Sequence, residues 1–159
     1  MKTLSEKEAF SKITSACAVK EHCRAEIQEK LRKWGLDTEI IEGMLETLQK
    51  EKYIDDERFC KSFVNDKFRF DKWGKVKIAH ALQLKKISRV VINTALNTID
   101  QEEYLQILNK LMQSKKKSIR AKDEKELNHK LIRFALSRGY EMNDIRKCMN
   151  LTEEDDLYI

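Results

Sequence analysis

Asp55 and Asp56 sit side by side in YIDDERF, residues 53–59. Paired carboxylates can hold a divalent metal or divide general-acid and general-base roles between them. Neighbouring residues on a helix point about 100° apart, so these two do not converge on one ion without carboxylates from elsewhere, and no second cluster is evident. The pair suits a helix start better. An Asp side chain there accepts free backbone N–H groups, its charge complements the positive helix end, and a local ion pair to Arg58 is expected. Cys17, His22 and Cys23 offer metal-ligand atoms, but His80 and His129 lie far along the chain, and no CxxC or HxxxH spacing completes a set of four. There is no nucleophile–base arrangement, HExxH or phosphate-binding glycine loop. These patterns predict neither catalysis nor a cofactor.

Charge is the remaining chemistry. Residues 57–89 carry ten Lys and Arg against three acids, and residues 110–133 carry nine against three, within a formal net charge of +5. Such stretches favour a polyanionic partner, nucleic acid first, over a merely solvated helix face. The stretch Phe68-Arg69-Phe70-Asp71-Lys72-Trp73 interleaves three aromatics with charge, and Phe70 or Trp73 could stack on a base or enter a partner pocket. Glu153, Glu154, Asp155 and Asp156 form an acidic tail.

The elements that position these residues repeat. KLRKWGLDTEIIEGML (30–45), ALQLKKISRVVINTAL (81–96) and FALSRGYEMNDIRKCM (134–149) align without gaps. Leu31 meets Leu82 and Ala135, Leu36 meets Ile87 and Tyr140, and Ile41 meets Ile92 and Ile145. A near-constant offset over the chain means one supersecondary unit used three times. With no proline and four glycines in 159 residues, those units are helical. Ser5, Asp37, Asp55 or Asp56, Ser88 and Asp123 are the expected helix starts, and Gly35 and Gly139 the expected left-handed stops. SKKKSIRAK, 114–122, is expected to be a loop between helices. The prediction is an all-α tandem array of three three-helix repeats, 1–53, 54–99 and 100–159. No run approaches the roughly 20 apolar residues of a membrane span. The N-terminus lacks a secretory h-region, and the four cysteines read as reduced cytoplasmic thiols.

The middle repeat resembles the RecX family, bacterial modulators of the RecA recombinase. Tyr53, Ile54, Asp55, Asp56, Arg58 and Phe59 fit the family's start, Gly74 its internal glycine, and Leu82, Lys85 and Ile87 its closing turn. Glu26, Ile27, Lys30, Leu31 and Gly35 fit the first unit, and Arg138-Gly139-Tyr140 resembles the Arg-Gly-Phe turn of the last. Three positions depart. Lys20 replaces an arginine. Cys23 replaces a capping serine, a change expected to weaken that helix start by about 1 kcal/mol. Lys86 replaces the turn glycine, so this turn is expected to close differently.

The resemblance implies an elongated, curved array of helix-turn-helix-like units without enzymatic activity. It would be a monomer, bound to the RecA filament and lowering its ATP hydrolysis and strand exchange, with single-stranded and in some members double-stranded DNA as further partners. The expected contact face is Arg69, Lys72, Lys75, Lys77, Lys85, Lys86 and Arg89, then Lys115, Lys116, Lys117, Arg120 and Lys122. The rival reading is a stand-alone helix-turn-helix protein acting directly on nucleic acid.

Overall fold

The structure, a computed structural model, describes residues 3–150; the acidic tail residues Glu153, Glu154, Asp155 and Asp156 lie outside them. Among the described residues there are nine helices and no strand. They are α1 (Glu6–Val19), α2 (Arg24–Lys33), α3 (Thr38–Lys50), α4 (Asp56–Arg69), α5 (Lys75–Leu84), α6 (Arg89–Leu96), α7 (Gln101–Lys116), α8 (Glu124–Ser137) and α9 (Met142–Met149).

Short-range hydrogen bonds start most of them. Ser5 Oγ caps α1 by accepting the Glu8 N–H at 3.2 Å, and its hydroxyl donates to the Glu8 carboxylate. Asp55 Oδ1 accepts the N–H groups of Glu57 and Arg58, Ser88 Oγ that of Val91, Asp100 that of Glu103, and Asp123 that of Glu126. The expected loop from Ser114 needs correction. α7 continues through Lys116, because lysines near a helix C-terminus suit its dipole, and only the remainder is loop.

The repeat is visible as one hydrogen-bond pattern at the end of the second helix of each three-helix unit, a closure that also ends α3, where Lys52 N donates to the Gln49 carbonyl and Tyr53 N to that of Leu48. At the end of α2, Gly35 N donates to the Arg32 carbonyl and Leu36 N to that of Leu31. At the end of α5, Lys86 N donates to Gln83 and Ile87 N to Leu82; at the end of α8, Gly139 N donates to Leu136 and Tyr140 N to Ala135. This is the Schellman closure, which needs a left-handed residue just past the helix. Gly35, Lys86 and Gly139 occupy that place with φ of 82°, 61° and 96°. The expectation of a different turn at Lys86 is therefore overturned: the flanking helices impose the closure and lysine accepts the strained conformation.

A left-handed non-glycine residue costs about 1–2 kcal/mol, and glycine's freedom in the unfolded chain returns about 0.5–1 kcal/mol of that. Lys86→Gly should accordingly stabilise the protein by roughly 0.5–1 kcal/mol. Urea unfolding checks this as a higher midpoint at unchanged slope.

The chain divides into two compact units, Met1–Phe63 with Leu82–Ala95 and Val64–Ala81 with Leu96–Ile159. In the first, Ala9, Ile13, Ile27, Leu31, Ile41, Met44, Leu45, Leu48 and Ile54 form one buried cluster, with Phe10, Cys17 and Trp34 half-buried against it. In the second, the core holds Leu108, Met112, Leu131, Ile132 and Ile145 beside an aromatic stack. Phe68 lies 5.7 Å from Tyr104 by ring centroid, and Tyr104 lies 5.2 Å from Tyr140.

Candidate partner-binding surface

The acidic pair is a structural device. Asp55 caps α4, as its spacing predicts, whereas Asp56 Oδ1 accepts the Arg24 N–H at 2.9 Å and so caps α2 from a distance. Beside this bond a capping box forms, the Cys23 sulfur facing the Glu26 N–H and the Glu26 carboxylate accepting the Cys23 N–H at 3.2 Å. The weak start expected at Cys23 is thereby offset. The expected Asp55–Arg58 ion pair is also corrected. The Arg58 guanidinium turns to Glu21, at 2.6 Å, and to the Lys52 carbonyl, at 3.0 Å, since Asp55 is committed to the helix end. Ile54 and Phe59 are buried, and Tyr53 meets Phe10 edge-on at 6.3 Å.

Burial holds the thiols protonated: Cys23 is pushed up to about 12 and Cys60 to about 11. A thiol in that state is a poor nucleophile and a poor ligand. Among the described residues no three His, Cys, Asp or Glu side chains converge on a metal position.

The expected cations fall into three groups, each inside one compact unit. Arg69, Lys72, Lys75 and Lys77 lie in the second unit around Gly74. Arg69 is partly engaged, its Nε 3.2 Å from Glu103. Lys72 donates to the Arg69 carbonyl at 2.6 Å and itself sits at φ 60°. Lys75 Nζ stands 4.7 Å from the Tyr104 ring centroid, and Lys77 Nζ 4.6 Å from that of Trp73. Lys67 Nζ is 4.7 Å from the same Trp73 ring. Trp73 therefore already carries two ammonium groups, while Phe70, 77% exposed, is the aromatic open to a partner.

Lys85, Lys86 and Arg89 lie in the first unit. Lys85 Nζ is 3.7 Å from Glu26, whereas Lys86 and Arg89 are exposed. The third group, Lys115, Lys116, Lys117, Arg120 and Lys122, surrounds the end of α7 and the loop after it. Lys115 Nζ lies 5.1 Å from the Phe134 ring, and all five side chains are exposed. Among the described residues, Lys86, Arg89, Lys116, Lys117, Arg120 and Lys122 hold no carboxylate at ion-pair distance, although Lys86 acts on Glu29 and Lys122 on Glu126 from further away.

Sequence reasoning missed the support beneath the first group. Gly74 N donates to the Arg138 carbonyl at 2.7 Å, and Val76 N to that of Gly139 at 3.0 Å. Lys75 N donates to the Tyr104 hydroxyl at 2.9 Å. These acceptors satisfy N–H groups at the start of α5 that have no partner within the helix. The Tyr140 hydroxyl donates to the Lys72 carbonyl at 2.9 Å, and Arg138 to that of Asp71 at 2.8 Å. Burial raises both phenols, Tyr140 to about 12, so both stay neutral, Tyr140 as the donor to Lys72 and Tyr104 as the acceptor from Lys75. A buried tyrosine that needs a polar partner is the one sequence signal available, and it does not name that partner.

Tyr104→Phe should keep the ring packing yet strand the Lys75 N–H, at a cost of about 1–3 kcal/mol. A lower urea midpoint with unchanged helicity is the expected readout.

Comparison with known proteins agrees with this architecture. The descriptions "RecX, second three-helix domain" and "RecX, third three-helix domain" match residues 55–96 and 101–149. Regulatory protein RecX of Clostridium tetani is 32% identical over 127 residues, which cover 79% of this chain and 58% of that protein, so the chain spans little more than half of that relative. Regulatory protein RecX of Vibrio campbellii is 29% identical over 96% of this chain and 95% of its own length. The crystal structure of RecX from Lactobacillus salivarius superposes with a TM-score of 0.84 over 96% of this chain and 97% of that one, at 17% identity, and so shares the fold. Two consecutive three-helix domains matched, on a backbone that closes its units by one repeated turn, place the chain in the RecX family.

Proposed function

We propose that this protein binds the nucleoprotein filament of the RecA recombinase and holds down its activity in recombination, DNA repair and the SOS response. The observation that carries this reading is the match to the second and third three-helix domains of a family whose members are named regulatory proteins. The exposed, unpaired cations support it, because a filament of protein on DNA presents both carboxylates and phosphates. Arginine can grip either in bidentate fashion, and lysine acts as a point charge. Repeated helical modules add individually weak contacts into useful avidity.

On this reading the protein works in the cytoplasm as a monomer without a cofactor and performs no chemistry. Among the described residues no helix is long and apolar enough to cross a membrane. The test is titration into RecA ATP hydrolysis on single-stranded DNA. A dose-dependent fall is expected, and unchanged hydrolysis at saturating protein overturns the reading.

The cations Lys116, Lys117, Arg120 and Lys122 favour one second reading, direct action on nucleic acid. Gel shifts without recombinase separate the two. Tight, sequence-selective duplex binding supports the second reading, and weak, salt-labile binding supports the first.

A further inference from the structure

The three copies of the turn that ends α2, α5 and α8 share their hydrogen bonds, so a position where one copy departs is informative. Lys33, Leu84 and Ser137 are equivalent, as are Glu39, Val90 and Asn143. All six are exposed, yet only the middle copy places large aliphatics there: Leu84 is 72% exposed and Val90 75%. Charge departs in the same copy. The first turn contains Asp37 and the third Glu141, where the middle one has Ser88. From Leu84 to Val90 the chain has Lys85, Lys86 and Arg89 and no acid. Lys85 faces Glu26, leaving Lys86 and Arg89 exposed beside the two aliphatics.

Folding does not demand this composition, since the other two copies make the same closure with polar residues at those places. A single exposed aliphatic needs no explanation. Two within seven residues, flanked by free cations and confined to one copy of three, indicate a surface that is covered in use.

We propose that Leu84, Lys86, Arg89 and Val90 form a docking tip for an acidic protein surface with apolar side chains at its centre. The proposal rests on the filament-binding reading above and assigns this tip to the recombinase protein within the filament, not to its DNA. Charge complementarity selects an acidic partner, and Arg89 can fork onto a carboxylate. The aliphatics select protein over nucleic acid. A phosphate backbone rewards cations and hydrogen-bond donors, and bases reward aromatic stacking, so neither gives Leu84 or Val90 a role. Two anchored apolar side chains inside a charged rim match the usual anatomy of a protein interface.

The experiment compares wild type, the Leu84→Ser/Val90→Ser double variant and Arg89→Glu. Each is titrated against RecA filaments locked on labelled single-stranded DNA with a non-hydrolysable ATP analogue, and separately against the same DNA naked. Both variants should keep the wild-type melting temperature, because the replaced side chains are exposed. The double variant should lose about ten-fold or more in filament affinity while binding naked DNA within about two-fold of wild type. Arg89→Glu should also lose filament affinity, more so at low salt.

A double variant that binds filaments as wild type does overturns the tip and leaves the filament reading standing. Equal losses on filament and naked DNA assign the tip to nucleic acid and overturn a protein partner. A wild-type protein that ignores the filament overturns the filament reading and, with it, this tip.

Discussion

Gly74→Ala is expected to destabilise the protein by about 3–5 kcal/mol, lowering the melting temperature by roughly 10 °C or more. A Cβ at Gly74 would lie 2.2 Å from the Gly139 carbonyl carbon, 2.3 Å from its oxygen and 2.4 Å from Tyr140 N. These are backbone atoms, so no side-chain rotation relieves the clash. The two strands of backbone must part, and the bonds from Gly74 N to Arg138 and from Val76 N to Gly139 go with them. A Cβ at Gly139 meets the same junction from the other side, 2.4 Å from Lys77 Cβ, at a residue whose φ of 96° already disfavours any side chain.

Gly43→Ala provides the opposite case. Gly43 sits inside α3 with nothing within 4 Å of the added carbon. Alanine there should stabilise by about 0.5–1 kcal/mol through lower unfolded-state entropy. Urea unfolding of the two variants side by side checks both signs. A Gly74→Ala midpoint equal to wild type would disprove the close approach.

Reversing Lys72, Lys75 and Lys77 to Glu together should weaken filament binding by about a hundred-fold or more at moderate salt. It should also flatten the dependence of log K on log salt by about two, as expected when two to three phosphate or carboxylate contacts are lost. The structure adds a second consequence. Lys75 and Lys77 stand over the Tyr104 and Trp73 rings, so their reversal also removes cation–π attraction, about 0.5–1 kcal/mol each at such half-exposed sites. The melting temperature should fall by a few degrees while helicity at 20 °C is kept. Circular dichroism and filament titration at that temperature separate loss of binding from loss of fold. Unchanged inhibition by a folded variant would remove this group from the contact face.

Much of the local structure was legible because its causes lie three to five residues apart. Ser5 to Glu8, Asp55 to Arg58, Ser88 to Val91 and Asp123 to Glu126 are bonds between a side chain and an N–H one helical turn later. The threefold turn is equally local, closing from Leu36 to Leu31, Ile87 to Leu82 and Tyr140 to Ala135. Lys86 was misread because a propensity for glycine was treated as a requirement. Packing of the helices on either side overrides a strain of about 1–2 kcal/mol.

Charge along the chain was legible too, but not its availability. Whether a cation is free depends on what the fold brings near it, as Glu26 is brought to Lys85 and Glu103 to Arg69.

By itself, then, the order of residues determined the triplicated helical pattern, the caps at Ser5, Asp55, Ser88 and Asp123, and the glycine stops at Gly35 and Gly139, because each is a bond between near neighbours on one short segment. Only the tertiary structure decided that Asp56 caps a helix 32 residues away, that Arg58 answers Glu21 across 37, and that Tyr104 holds the start of α5. It also decided that Gly74 and Gly139 meet backbone to backbone. Those partners share no spacing rule. They are set by how apolar faces pack, and packing distributes its constraints over the whole core instead of writing them between adjacent residues.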